Sequence, residues 1–146
     1  MRQSAIAHPD APGQGPKAVV VDASALVAYA RRETGADVVS ARLKSGDRVL
    51  VSAVNWAEAA GKLRDYGMTP AILRQALAAV DAEVIAFTES DADTVASLTP
   101  RLRPLGLSLG DRACLALATA ARAPALTAER AWASIDLPGL VVELIR

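Results

Sequence analysis

Residues 18–22 form an apolar run, Ala-Val-Val-Val, closed by an aspartate, which is the pattern of a strand buried on both faces of a parallel sheet. Beyond it, helix and strand patterns alternate along the chain. Helical spacing is predicted over 24–32 and 35–43, with a break near Thr34 and Gly35, and a second strand over 48–51. A helix over 53–66 stops at Gly67, a residue suited to the left-handed turn that closes a helix. Thr69 as cap and Pro70 at the first position open another helix, which reaches about Val80. A third strand follows over 83–87, then a helix over 89–98 entered through Thr88-Glu89-Ser90-Asp91, a capping-box pattern. Residues 100–106 read as a loop carrying arginine and proline. An alanine-rich helix over 109–121, a short strand at 125–126 and a final strand over 140–145 complete the order. The alternation predicts an α/β fold, a three-layer α/β/α sandwich with a central, mainly parallel sheet. Residues 1–16 hold Pro9, Pro12, Pro16, Gly13 and Gly15 without apolar periodicity, and read as a disordered leader or an expression remnant. One domain is therefore expected over 17–146.

Composition narrows the picture. Apolar residues make up 52% of the 146 positions and aromatics only 3%, so the helices must pack closely on small side chains. No apolar run is long enough to cross a membrane, and the N-terminus lacks a charged segment followed by an apolar one, so a soluble cytoplasmic protein is expected. The single cysteine, Cys114, has no partner for an internal disulfide, which agrees with a reducing compartment. Sixteen basic residues balance sixteen acidic ones, which argues against coating nucleic acid by bulk charge. The one histidine, His8, lies in the leader and reads as having no role.

With so little imidazole or thiol, carboxylates are the obvious chemical resource. Asp22 ends the first strand, Glu58 lies on the helix that follows the second, Asp111 begins the alanine-rich helix, and Glu129 follows the short strand. In a parallel α/β sheet, ligands bind beyond the carboxyl ends of the strands, where these four acids can converge. Each also has a purely structural explanation. Asp22 fits a helix N-cap, and Glu58 fits a surface residue. Asp111 closes the capping box Ser108-Leu109-Gly110-Asp111, and Glu129 fits a first-turn acid, a place Asp136 could also fill. Clustered carboxylates favour hard cations such as Mg2+ or Mn2+.

Taken together, the stretches Val21-Asp22-Ala23-Ser24-Ala25-Leu26, Ser52-Ala53-Val54-Asn55-Trp56-Ala57-Glu58, Leu107-Ser108-Leu109-Gly110-Asp111-Arg112 and Leu126-Thr127-Ala128-Glu129-Arg130 resemble a PIN domain. They are similar in particular to the VapC-like ribonuclease toxins of toxin–antitoxin pairs. The resemblance covers roughly residues 18–146 and lies in four motifs in order. It implies an endoribonuclease dependent on Mg2+ or Mn2+, frequent homodimers, an RNA substrate and a cognate antitoxin that blocks the site. Asp22, Glu58, Asp111 and Glu129 are then the catalytic set, with Asp22, Asp111 and Glu58 as metal ligands. Ser24, Asn55 and Thr127 would hydrogen-bond around them, and Arg112 and Arg130 would anchor flanking phosphates or else pair with the acids beside them. One departure stands out. The family pattern usually has aspartate at the last position, and Glu129 reaches about 1.5 Å further, roughly one carbon–carbon bond. That leaves a catalytically impaired RNA- or protein-binding PIN module as the alternative. A phosphatase of the haloacid dehalogenase type would want a second aspartate where Ser24 stands. A phospho-acceptor signalling domain would need an acidic pair before its first strand ends and a late lysine, neither of which is present.

Overall fold

The computed structural model describes residues 17–146, so the expected leader lies outside the described residues. Five strands form one sheet: β1 (Ala18–Val21), β2 (Arg48–Ser52), β3 (Glu83–Ile85), β4 (Ala125–Thr127) and β5 (Val142–Leu144). Their order is β3-β2-β1-β4-β5, and every pairing is parallel. The helices are α1 (Ala23–Ala30), α2 (Ala36–Leu43), α3 (Ala53–Asp65), α4 (Ala71–Ala79), α5 (Glu89–Leu102) and α6 (Leu109–Ala121).

Strand alternation divides the core in two. Val19, Val21, Val49, Val51 and Leu126 point to one face and meet Leu26, Val39, Leu63 and Leu73 of α1 to α4. Val20, Leu50 and Ala125 point to the other and meet Leu102, Cys114, Leu115 and Trp132. Both faces of the sheet are covered, which is why the strands read as continuous apolar runs. Each fully buried Val or Leu in these layers contributes about 1.5–3 kcal/mol through loss of apolar surface to water.

Local signals set most of the boundaries. Gly67 sits at φ +73°, and its N–H and that of Met68 donate to the carbonyls of Arg64 and Leu63, closing α3 as expected. At the start of α4, Pro70 occupies the cap position while the Thr69 hydroxyl accepts from the Ala71 N–H at 3.3 Å. The expected loop over 100–106 is instead the last turn of α5, with Pro100 inside it, followed by a 3-10 turn, Arg103–Leu105. The third and last strands are shorter than expected, ending at Ile85 and Leu144.

The strand order fixes the site. The chain runs outward from β1 through β2 to β3, then returns to the other side of β1 for β4 and β5. That reversal leaves a crevice at the carboxyl ends of β1 and β4, where open parallel sheets take ligands. Asp22 and Thr127 stand on its two sides.

Candidate functional site

Asp22 follows the last residue of β1 and is the N-cap of α1, its side chain accepting from the Ser24 N–H at 3.4 Å. Its Oδ2 also accepts the Ser24 hydroxyl at 2.6 Å and the Thr127 hydroxyl at 3.0 Å. Ser24 Oγ in turn accepts the Ala128 N–H at 2.9 Å, and Thr127 Oγ1 accepts the Glu129 N–H at 3.0 Å. These bonds tie the end of β1 to the end of β4. Among the described residues, Oδ1 of Asp22 has one long contact, the Asn55 amide at 3.4 Å. One carboxylate oxygen is therefore fixed in place while the other is left weakly bonded.

Asn55 is the pin between segments. Fully buried on the first turn of α3, it donates from Nδ2 to the Gly110 carbonyl at 3.0 Å, and stands 3.4 Å from both Asp22 Oδ1 and Glu58 Oε1. Two protons serve three acceptors, and Asn55 Oδ1 is buried without a partner among the described residues. Glu58 lies one turn further along α3. Gly110, on the first turn of α6, leaves room for it, because a Cβ at that position would collide with the Glu58 carboxylate.

Asp111 completes the capping box expected from the sequence and also borders the crevice. Its Oδ2 accepts the Ser108 N–H at 2.9 Å while its own N–H donates to Ser108 Oγ at 3.1 Å. Glu129 is exposed, makes no side-chain cap and lines the same crevice.

Asp22, Ser24, Glu58, Asp111 and Glu129 thus border one open cleft of about 370 Å³. The electrostatics agree with that proximity. Burial, with a further push from Asp111, raises Asp22 from an ordinary 3.8 to about 6, against the hydroxyls of Ser24 and Thr127, which lower it. Glu58 is also raised, by burial first and by Asp111 second, with Asn55 and Lys62 opposing. Carboxylates that repel one another and carry loosely bonded oxygens suit a hard divalent cation, and Asp22, Glu58 and Asp111 are the residues able to hold it. Among the described residues, no three acidic groups stand close enough to enclose an ion as they are placed. The donor chemistry, oxygen ligands with net negative charge, fits such an ion.

The two arginines lie elsewhere. Arg112 donates to Thr99 Oγ1 at 2.6 Å and to the Ser108 carbonyl at 3.3 Å, and does not line the cleft. Arg130 borders a neighbouring groove with Arg32, Thr34 and Arg146, which meets the cleft at Glu33 and Arg146. Sequence reasoning passed over Lys62, Tyr66 and Arg146, all of which line the cleft. The four-residue steps from Glu58 to Lys62 to Tyr66 were a visible signal, since such residues share a helix face. Nothing local in the sequence points to Arg146.

The PIN domain family model matches residues 19–137. Comparison with curated proteins gives no match by sequence. Among solved structures, the chain is similar to one in the crystal structure of VapBC2 from Rickettsia felis bound to a promoter DNA fragment, with a TM-score of 0.64 at 17% identity over 87% of this chain and 98% of that one. It is similar to one in a toxin–antitoxin complex from Klebsiella pneumoniae, with a TM-score of 0.62 at 20% identity, covering 84% and 95%. It is also similar to one in VapBC-5, a VapBC-family toxin–antitoxin system from Mycobacterium tuberculosis, with a TM-score of 0.53 at 22% identity, covering 88% and 99%.

Proposed function

This chain belongs to the PIN-domain family, and on that premise we propose that it is a metal-dependent endoribonuclease, the toxin of a toxin–antitoxin pair. The observation that carries the proposal is the gathering of Asp22, Glu58, Asp111 and Glu129 from four separate segments around one cleft at the sheet's switch point. The presence of this fold in toxin–antitoxin complexes supports a cognate antitoxin as partner. A homodimer and a cytoplasmic location belong to the same reading. Among the described residues, no helix is long and apolar enough to cross a membrane.

Asp22, Glu58 and Asp111 are assigned as the ligands of Mg2+ or Mn2+. When bound, such an ion supplies a water of lowered pKa and neutralises charge on the phosphoryl oxygens. The chain's own residues do the rest. Ser24 and Thr127 hold one oxygen of Asp22 and leave the other weakly bonded for a ligand, and Asn55 sets the spacing of Asp22, Glu58 and α6. Glu129, exposed at the rim, is assigned to position water or a second ion. Arg130 is assigned to the phosphate backbone beyond the cleft, in the groove it shares with Arg32 and Arg146. Arg112, engaged by Thr99, would have to give up that bond to reach RNA, so its contribution is assigned to supporting α6.

The test is cleavage of a labelled RNA by parent and Asp22→Asn protein in Mg2+, with the fold of each checked by circular dichroism. Loss of at least about a hundredfold in rate is expected, because the substitution removes the charge of a buried carboxylate assigned to the metal. Equal cleavage by both would sink the assignment. Binding of RNA by the parent without any cleavage in Mg2+ or Mn2+ would favour the impaired binding module, for which the long, exposed Glu129 is the foothold.

A further inference from the structure

We propose that the end of α3 is a nucleotide-reading subsite, in which Lys62 takes the phosphate next to the one cleaved and Tyr66 stacks on a nucleobase. This rests on the reading of the cleft as an RNA-cleaving site. Glu58, Lys62 and Tyr66 follow one another at four-residue intervals, and all three line the cleft. Successive members lie about 6 Å apart along the axis, so the row spans about 12 Å, on the scale of one or two nucleotides.

Tyr66 is unusual for its position. In a chain with 3% aromatics it is 51% exposed, and it is the one aromatic among the exposed large apolar side chains of the described residues. The ring is also held. The Arg31 guanidinium lies 3.4 Å from its centroid, and Arg31 is fixed by Glu33 at 2.8 Å. The guanidinium covers one face, yet half of the residue's surface stays open where it lines the cleft. A clamped aromatic with open surface is what a base-stacking platform requires, and every base has a face to offer it. Its backbone is equally constrained, since its N–H donates to the carbonyls of Lys62 and Leu63 at the end of α3.

The order of groups decides the ligand. Acid, cation and aromatic along one helix face match reacting phosphate, neighbouring phosphate and base along one strand. A protein partner would gain most from a broad apolar surface, yet among the described residues Ala23 and Val27 are the only aliphatic side chains that line this cleft with Tyr66, against Glu33, Lys62, Arg146 and the acids.

The experiment measures binding of a fluorescent single-stranded RNA of roughly 12 nucleotides to the full chain in EDTA, where cleavage is not required. Tyr66→Ala is expected to weaken binding by about 5- to 100-fold while Tyr66→Phe keeps it, since stacking needs the ring and not the hydroxyl. An abasic ribose-phosphate strand of the same length should bind parent and Tyr66→Ala alike. Lys62→Gln should lower the slope of log affinity against log salt by about 0.7. Unchanged RNA binding by Tyr66→Ala would overturn the inference and leave this surface to a protein partner, even if the parent cleaves RNA. Weakened binding by Tyr66→Ala, with no cleavage by the parent, would keep the subsite and remove the nuclease. Absence of any RNA binding by the parent overturns it as well.

Discussion

Asp22 sets the energetics of the site at the residue scale. It is 2% exposed, its ionised form is penalised by burial, and its folded pKa of about 6 lies above the ordinary 3.8. Folded protein therefore binds more protons than unfolded protein between these two values, and stability falls as pH rises through that window. Well below the ordinary 3.8 the carboxyl is neutral in both states and the penalty vanishes. Above about pH 6 the full cost is present, on the order of 2–3 kcal/mol by the size of the shift. In metal-free protein, Asp22→Asn should raise the melting temperature at pH 7 and flatten its fall between pH 4 and 6. Thermal denaturation in EDTA across that range checks this, and a lower melting point for the variant at pH 7 would contradict it. Of the partners of Asp22, Ser24 could be read from spacing because it lies two residues on, whereas Asn55 and Thr127 are expected only from the family resemblance. The placement of Arg112 could not. Its sequence neighbour Asp111 faces the cleft, but on a helix adjacent residues point about 100° apart, and Thr99 of α5 captures the guanidinium.

Gly110 couples two helices at the element scale. Glycine inside a helix costs about 1 kcal/mol relative to alanine, yet here it stands where a methyl group would meet the Glu58 carboxylate. That carboxylate is the far end of a flexible side chain, so it can swing aside. Gly110→Ala is accordingly expected to fold with a melting temperature close to the parent's, the helix gain offsetting the displaced contacts. RNA cleavage should drop by about tenfold or more, because small misplacements of a reacting group are costly. Parallel melting and cleavage measurements separate these effects; full activity with normal stability would show that Glu58 does not need its present position. Most element boundaries were legible because caps and glycines are local signals, as Thr88 and Ser108 show through their complete capping boxes. Pro100 was not. Its ring forbids a donated bond and argues for a helix end, but Leu102, 2% exposed in the second core, draws another turn of α5 onto the sheet. Tertiary packing overrode a local breaker.

Whole-molecule architecture joins what the residues and elements prepare. The three layers could be read from alternation alone, whereas the order β3-β2-β1-β4-β5 depends on which side of β1 the chain returns to, and no local pattern records that choice. The return brings Thr127 beside Asp22, so the carboxyl cluster exists only in the folded chain. A cation that binds the cluster must then favour the native state, by an amount set by its concentration relative to its dissociation constant. At about a hundred times that constant the gain is about 2.7 kcal/mol, which for a domain of this size raises the melting temperature by roughly 5–10 °C. Titrating Mn2+ or Mg2+ into the parent should produce that rise, EDTA should reverse it, and Asp22→Asn and Glu58→Gln should blunt it. The variants matter because a cation held anywhere else would stabilise them as much as the parent. Equal shifts in all three proteins would move the metal out of this cleft, and no shift in any of them at millimolar metal would remove it from the mechanism.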